Sequence, residues 1–214
     1  MEKILIVGAT GDTGKRVIEI LRNSQSFEPI AMVRKKEQQE IFNDMDIETV
    51  LADLEKEVDN ALKGIDKVIF AAGSGGDTGE EKTIEIDQKG AIKIIDAAKK
   101  AGIKKFVMLS SMGADDPSSH PKLQTYLEAK KKADEHLIQS GIPYTILRPG
   151  ALNDDLGLAK VKLAEKLDKQ GEISRDDVAF LLVMSLADPL VKNKIIEAIE
   201  GEESIKSAII EASR

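Results

Sequence analysis

A glycine-rich segment near the start of the chain constrains its fold more than any other feature of the sequence. Residues 8–14 read GATGDTG and directly follow residues 4–7, an apolar run that is typical of a buried parallel strand. Residues 13–22 come next, with apolar side chains at helical spacing, so the glycines join a strand to a helix. This order indicates a loop that binds the pyrophosphate of a dinucleotide on the free N–H groups of the helix.

The three glycines of this loop have separate roles in that interpretation. Gly8 permits the tight turn, Gly11 lets the backbone approach the pyrophosphate, and Gly14 lets the helix and the strand pack closely. A glycine turn that joins a strand to a helix without any ligand is the alternative. On the first interpretation the predicted cofactor contacts of the loop are Gly8, Thr10, Gly11, Asp12, Thr13 and Gly14.

Short apolar runs and helical segments alternate along the rest of the chain as far as Gly150. Further strands are predicted at residues 29–33, 47–51, 68–72, 106–109 and 144–147, and long helices at 84–101 and 123–140. Such alternation predicts an α/β protein, a doubly wound parallel sheet of the Rossmann type. Beyond Gly150 the pattern weakens to a helix at 174–187, a strand at 195–199 and a helix at 204–212. We therefore predict one domain over residues 1–214, in which residues 151–214 form a small appendage on the substrate side.

Composition excludes several other classes of function. The 214 residues carry a formal net charge of -7, which argues against nucleic acid as a partner. The chain has no cysteine, and its two histidines lie too far apart to suggest a metal site. No apolar stretch is long enough to span a membrane, and the first residues lack the layout of a signal peptide, so we expect a cytoplasmic protein.

The residue that follows the second strand usually selects between the two nicotinamide dinucleotides. Arg34 stands there, 20 residues after Gly14, and no acidic residue follows before Glu37. An acidic side chain at this point binds a ribose 2′-hydroxyl, whereas a guanidinium can hold a 2′-phosphate through two hydrogen bonds. The sequence therefore favours NADP over NAD. A solvated basic start to a helix would produce the same pattern.

Tyr126 and Lys130 form a candidate catalytic pair. They are four residues apart in a predicted helix and therefore share one of its faces. A lysine ammonium beside a tyrosine favours the phenolate form, and such a tyrosine can exchange a proton with a carbonyl or an alcohol. Lys130 could also bind the nicotinamide ribose. Ser110 and Ser111 end the fifth strand, where ligands bind in such sheets, and either hydroxyl could polarise a carbonyl. The alternative is a surface lysine next to a tyrosine that only packs.

Together these motifs resemble the short-chain dehydrogenase/reductase superfamily. The chain is most similar to its atypical, extended-like branch of small NAD(P)-binding proteins, the NAD-dependent epimerase/dehydratase-like group. The resemblance covers nearly the whole chain and is strongest over residues 3–150. The matching motifs are VGATGDTG at 7–14, ADL at 52–54, AAGS at 71–74, DQKG at 87–90, LSS at 109–111, the Tyr126/Lys130 pair, and RPG at 148–150.

The resemblance implies roles for individual residues. It implies that Ser111, rather than Ser110, is the catalytic serine, that Tyr126 is the proton donor, and that Lys130 is its partner. The chain departs from the family at Asp87, where many members carry an asparagine that serves as a proton relay. It also implies that Asp53 and Leu54 border the adenine of the cofactor. Ala71, Ala72 and Gly73 would line the ribose and nicotinamide side, and Pro149 and Gly150 would lie against the nicotinamide.

These observations predict an NADP-dependent oxidoreductase that transfers hydride to or from a small carbonyl, quinone or flavin-like substrate. A nucleotide-sugar epimerase or dehydratase is a weaker alternative, since extended family members build their sugar-nucleotide pocket after the position of Gly150, where this chain is short. A second alternative is a redox sensor that binds NAD(P) without catalysis, although such relatives generally lack the tyrosine–lysine pair. Asn153, Asp154 and Asp155 are expected to flank the substrate cleft.

Overall fold

A sheet of nine strands runs through the residues that the computed structural model describes, 1–75 and 78–213. The strand order is β11-β8-β10-β6-β5-β4-β1-β2-β3; strands β1 to β6 and β10 are parallel, and β8 and β11 are antiparallel to their neighbours. β7 and β9 pair separately as a small parallel ribbon. The strands are β1 Glu2–Val7, β2 Phe27–Val33, β3 Glu48–Leu51, β4 Lys67–Phe70, β5 Lys105–Leu109, β6 Tyr144–Pro149, β7 Ala151–Asn153, β8 Lys160–Ala164, β9 Glu172–Ser174, β10 Lys194–Glu200 and β11 Glu203–Ser204.

Helices connect these strands and cover both faces of the sheet. α4 and α5 end where predicted, because Gly102 and Gly141 adopt the left-handed conformation at φ 72° and 79°. The α-helices are α1 Asp12–Leu21, α2 Glu40–Asn43, α3 Glu80–Thr83, α4 Ala91–Ala101, α5 Gln124–Ser140, α6 Arg175–Met184 and α7 Ile205–Ala212. A π-helical turn, Ile84–Gly90, joins α3 to α4, and short 3₁₀ turns lie at Lys36–Gln38, Asp59–Leu62, Pro117–Ser119, Pro121–Leu123 and Pro189–Val191.

The sheet separates two hydrophobic cores. Successive side chains of a strand point to opposite faces, so β1 contributes to both cores. Ile4 and Ile6 are fully buried in the core that also contains side chains from α1, α6 and α7. Leu5 and Val7 belong to the core that contains side chains from α4 and α5. Helices on both faces of a mostly parallel sheet confirm the predicted doubly wound α/β fold.

Several element boundaries differ from the prediction. The sixth strand continues beyond residue 147 to Pro149, its last residue, whose carbonyl accepts a hydrogen bond from the Met112 N–H at 2.9 Å. The fourth strand ends at Phe70 rather than at residue 72. The helix predicted to begin at residue 84 begins at Glu80 and passes through the π-helical turn. A π-helical turn has an extra residue, and the spacing of the apolar residues does not reveal it.

The segment after Gly150 contains more strand than predicted. β8 has the sequence KVKLA, in which the lysines are exposed while Val161 and Leu163 are buried, a period of two that indicates a strand. β10 returns to the main sheet in parallel beside β6, and β8 and β11 extend that edge. The predicted start of the helix after β9, α6, is confirmed, since the Ser174 hydroxyl accepts a hydrogen bond from the Asp177 N–H at 3.1 Å.

The strand order places a crevice between the ends of β1 and β4. The chain runs outward from β1 to β2 and β3, then returns to add β4 on the other side of β1. The loops after β1 and β4 therefore diverge at the carboxyl edge, which is where ligands bind in open α/β sheets. Across residues 1–75 and 78–213, no helix has the length and apolar character needed to cross a membrane. The same residues contain no cluster of three metal-binding side chains.

Candidate cofactor and active site

The predicted glycine loop forms a tight turn against the end of β4. Gly8 has a φ of +89°, and a Cβ at this position would lie 2.6 Å from the backbone nitrogen of Ala72. A Cβ on Gly14 would lie 2.1 Å from the carbonyl oxygen of Gly8. Both distances are too short for any side chain, so the close approach of loop, helix and strand depends on glycine at these two positions.

The N-terminus of α1 opens toward the crevice without a side-chain cap. Gly11 occupies the cap position and has no side chain with which to accept a hydrogen bond from the first turn. The N–H groups at a helix start need partners, and together with the helix dipole they attract an anion. Gly11, Asp12 and Thr13 line a cavity at this point. The loop therefore fits the pyrophosphate of a dinucleotide.

Two adjoining cavities follow the carboxyl edge of the sheet on either side of the loop. A cavity of about 340 Å³ lies toward β2 and β3, and one of about 640 Å³ lies toward β5 and α5. Both are lined by Gly11 and by the segment after β4, so they form one continuous groove. The predicted cofactor contacts that line the smaller cavity are Gly8, Thr10, Gly11, Arg34, Asp53, Leu54, Ala71, Ala72 and Gly73. Those that line the larger cavity are Gly11, Asp12, Thr13, Ala71, Ala72, Gly73 and Lys130.

Arg34 lies at the end of the smaller cavity and is exposed. The backbone N–H groups of Arg34 and Lys35 both donate to the Gln38 Oε1 atom at 3.0 Å, which fixes the turn that presents the guanidinium. Within the described part of the chain, Arg34 forms no ion pair. The sequence did not predict Gln38, which also lines this cavity. The guanidinium is thus available to an anion.

Lys130 is a buried cation rather than a surface lysine. Its side chain is 4% exposed, and its Nζ lies 3.0 Å from Asp87 Oδ1 and 5.5 Å from the centre of the Tyr126 ring. The Nζ also donates a hydrogen bond to the Leu109 carbonyl at 3.3 Å. Burial lowers the pKa of Lys130, but the acidic groups around it, Tyr126, Asp87 and Asp134, outweigh burial and raise that pKa to about 12. Lys130 therefore carries its charge throughout the neutral range.

Asp87 connects Lys130 to the loop that follows β4. It lies in the π-helical turn, a type of irregularity that is frequent at functional sites, and its side chain is fully buried. Asp87 Oδ2 accepts a hydrogen bond from the Ser74 N–H at 2.9 Å, while Oδ1 faces Lys130. The Asp87 carboxylate thus balances the charge of the buried lysine.

Asp134 extends the row that Tyr126 and Lys130 begin on α5. These residues follow one another at intervals of four, so they lie on one helix face. Asp134 Oδ2 accepts hydrogen bonds from the Ser110 hydroxyl at 2.8 Å and from Arg148 Nε and Nη2 at 3.0 and 2.9 Å. Burial raises the pKa of Asp134 more than Arg148 and Ser110 lower it. Sequence reasoning missed Asp134, although its spacing from Lys130 repeats that of Lys130 from Tyr126.

The serine that lines the larger cavity is Ser110. Ser110 borders this cavity together with Tyr126 and Lys130, whereas Ser111 is absent from its described lining. The Ser111 hydroxyl donates instead to the Met112 carbonyl at 3.2 Å. Ser111 therefore does not border the described cavity that contains Tyr126 and Lys130, and its catalytic role stays a prediction. Neighbouring residues of an extended segment face opposite ways, so a resemblance between motifs does not fix which of two adjacent serines faces the cavity.

The segment after Gly150 contributes Leu152 and Arg175 to the larger cavity. Asn153, Asp154 and Asp155 do not line it in the described structure, and Asp154 instead pairs with two arginines. The predicted contacts of Pro149 and Gly150 with the nicotinamide stay predictions, since neither cavity is lined by them. Gly150 packs closely against another loop: a Cβ on it would lie 2.1 Å from the Gly171 carbonyl oxygen.

Similarity to known proteins agrees with this geometry. The chain is 40% identical over 211 residues to the uncharacterized sugar epimerase YhfK of Bacillus subtilis, covering 97% of this chain and 98% of that protein. It is 30% identical over 251 residues to sanguinarine reductase of Eschscholzia californica, covering 96% and 91% of the two chains. A solved structure from Bacillus halodurans, described as a candidate NAD-dependent epimerase/dehydratase, has a TM-score of 0.94 at 37% identity and covers 99% of this chain and 100% of its own.

A family model also matches most of the chain. The model is described as NAD(P)H-binding and matches residues 8–189. That range contains the glycine loop, Tyr126, Lys130 and Arg175, and it covers most of the sheet. The chain therefore belongs to the NAD(P)H-binding family of Rossmann-fold proteins.

Proposed function

We propose that this chain is an NADP(H)-dependent oxidoreductase that acts on a small carbonyl, quinone or flavin-like substrate. The observation that carries the proposal is the position of Tyr126 beside the buried ammonium of Lys130, in the cavity that adjoins the glycine loop. A proton donor next to the nicotinamide half of the groove is what reduction of such a substrate requires. The similar protein from Eschscholzia californica is named as a reductase, which supports this class of reaction.

Tyr126 is the proposed acid of the reaction. When bound, the dinucleotide supplies hydride chemistry at its nicotinamide ring. The Tyr126 hydroxyl gives its proton to the developing substrate oxyanion, and Lys130 stabilises the negative charge left on the phenolate oxygen. Asp87 holds the Lys130 ammonium in place through the 3.0 Å ion pair. The carboxylate also prevents an unbalanced charge in this buried position.

Ser110 is proposed to orient the substrate as a hydrogen-bond acceptor. Its hydroxyl proton is directed to Asp134 at 2.8 Å, so its lone pairs are left for a donor in the cavity. This differs from the oxyanion-polarising role that the sequence suggested for a strand-end serine. Tyr126 then gives its proton to the substrate oxygen, while Ser110 accepts a hydrogen bond from a separate N–H or O–H group of the substrate and so fixes its orientation.

Turnover of NADPH tests the proposal directly. We expect the purified protein to oxidise NADPH with at least one member of a panel of small carbonyls, quinones and flavins. Tyr126→Phe should lower that rate by about a hundredfold or more, since general acid catalysis contributes that much. Tyr144→Phe is the matched control, because Tyr144 is the only other tyrosine in the sequence. It is the first residue of β6 and therefore lies at the amino ends of the strands, away from the cavities at their carboxyl ends. Unchanged turnover in Tyr126→Phe would contradict the assigned mechanism.

An epimerase that retains NAD is the second candidate. The names of the Bacillus relatives favour it, and such an enzyme would use the same acid and cofactor loop. Against it, only Leu152 and Arg175 of the described residues beyond Gly150 line the larger cavity, which offers few contacts to a sugar nucleotide. Nicotinamide dinucleotide that remains bound through purification, with no net NADPH oxidation on any acceptor, would favour the epimerase over the reductase.

A further inference from the structure

Arg175 belongs to the segment after Gly150, yet its side chain lines the larger cavity beside the glycine loop. It is the first residue of α6 and borders that cavity together with Gly11, Asp12 and Thr13. The Nε of Arg16 in α1 donates a hydrogen bond to Asp176 Oδ1 in the first turn of α6 at 2.6 Å, so the N-terminal halves of the two helices lie close together. In the sequence, residues 174–177, which read SRDD, had predicted only the start of the helix at 174–187.

The glycine loop itself offers no positive side chain to a pyrophosphate. Its only charged residue is Asp12, which is negative. Lys130 is already paired with Asp87, and Arg34 lines the smaller cavity on the other side of the loop. The larger cavity has two further cations among its described lining residues, Lys122 in the turn before α5 and Arg175 at the start of α6. Of these two, Arg175 belongs to the helix that packs against α1, the helix that follows the glycine loop. Arg175 suits the task, because a guanidinium can donate several hydrogen bonds to phosphate oxygens.

The present partner of Arg175 leaves it free to bind a phosphate. Its Nη1 lies 3.0 Å from Asp154 Oδ2, and the Asp154 side chain is 64% exposed. Ion pairs with such an exposed partner contribute little free energy, and the guanidinium keeps further N–H donors. Arg16 also pairs with Asp154, at 3.2 Å, but it lines a separate outer groove. The structure thus holds two arginines around one carboxylate, of which Arg175 alone borders the cofactor cavity.

We propose that Arg175 binds the pyrophosphate of the dinucleotide on its nicotinamide side, so that the C-terminal segment closes over the cofactor. The inference rests on the proposed function only in taking NADP(H) as the ligand. It gives the segment after Gly150 a direct part in cofactor binding as well as in walling the substrate cavity.

Equilibrium binding of two probes tests this placement. NADPH contains both pyrophosphate phosphates, whereas adenosine 2′,5′-bisphosphate lacks the phosphate on the nicotinamide side. Arg175→Met should weaken NADPH binding about tenfold, as the loss of a charge-assisted hydrogen bond predicts, and leave the bisphosphate within about twofold of wild type. Arg175→Lys should retain part of the NADPH affinity, because the charge remains. If the protein prefers NADH, the same comparison applies with NADH and AMP.

Two matched variants separate phosphate binding from a structural role. Arg16→Met removes the other arginine on Asp154, and Asp154→Asn removes the ion pair but keeps Arg175. Both should bind NADPH as wild type does. An equal loss in Asp154→Asn and Arg175→Met would overturn the proposal, because the ion pair and not the phosphate contact would then matter. Wild-type NADPH affinity in Arg175→Met, or an equal loss for both probes, would also overturn it. Absence of turnover would affect the proposed reductase and not these affinities.

Discussion

Lys105 is a buried charge that should make the stability of this protein depend on pH. It begins β5, at the sheet edge opposite the cofactor groove, and is 6% exposed. Its Nζ donates to the Tyr144 carbonyl at 3.2 Å. Burial, and to a smaller extent the nearby charges of Lys192 and Lys67, lower the pKa of Lys105 from 10.5 to about 8. Folding therefore disfavours the charged form of this side chain.

This lowered pKa corresponds to a cost of about 3 kcal/mol for keeping Lys105 protonated in the folded state. Below pH 8 the side chain is protonated in both the folded and the unfolded state, so the folded protein carries the whole cost. Between pH 8 and 10.5 the unfolded state binds more protons, so the free energy of unfolding rises with pH. Above pH 10.5 the side chain is neutral in both states, and the cost disappears.

Lys105→Met keeps the apolar stem and removes the charge. We expect the free energy of unfolding at pH 7 to rise by about 2 kcal/mol, since loss of the hydrogen bond to the Tyr144 carbonyl offsets about 1 kcal/mol of the gain. Urea denaturation measured from pH 7 to 10.5 should show the advantage of the variant shrinking to zero or below. Lys63→Met, at an exposed position before the turn at Gly64, is the control and should change little. A destabilised variant at pH 7, or a pH-independent difference from wild type, would refute this reasoning.

Three further predictions concern the site. Gly14→Ala should lower the free energy of unfolding by about 3 kcal/mol and abolish NADPH binding, because its Cβ would lie 2.1 Å from the Gly8 oxygen; Gly79→Ala, with open space around its Cβ, should do neither in the same urea and binding assays. Arg34→Ala should weaken NADPH binding about tenfold in a titration and leave NADH unchanged, and equal effects would remove Arg34 from the 2′-phosphate site. Lys130→Met should lower the free energy of unfolding by about 3 kcal/mol or more, because it leaves the Asp87 charge buried and unpaired; Asp87→Asn in the same chain should restore part of that loss, and no restoration would contradict the pairing.

Features that depend on a few neighbouring residues were predictable from the sequence. The glycine loop follows from a strand, a spacing and a helix start, and the shared face of Tyr126 and Lys130 follows from helical geometry. Asp134 and Asp87 were not identified as parts of one site, because α5 and the π-helical turn meet only in the folded protein. Ser110 and Ser111 could not be separated, since a shift of one residue at a strand end reverses the direction of a side chain. The short strands β7, β9 and β11 hold two or three residues each, too few to show a period.

The pairing of β10 with β6 has a consequence for how this protein can change its specificity. Residues 150–193 form an excursion that begins at the end of β6 and ends at the adjacent strand β10, which runs in parallel register from Lys194 opposite Thr145. Within this excursion, β8 joins the sheet on the other side of β10. Both ends of this excursion are therefore held by the same pair of hydrogen-bonded strands. Sequence and length within the excursion can vary without a change in strand order as long as β8 keeps its place beside β10, so the excursion is a replaceable cassette. Exchange of residues 151–193 between relatives should transfer acceptor preference together with the proposed pyrophosphate contact of Arg175, while the smaller cavity, which is lined by residues before this segment, comes from the recipient.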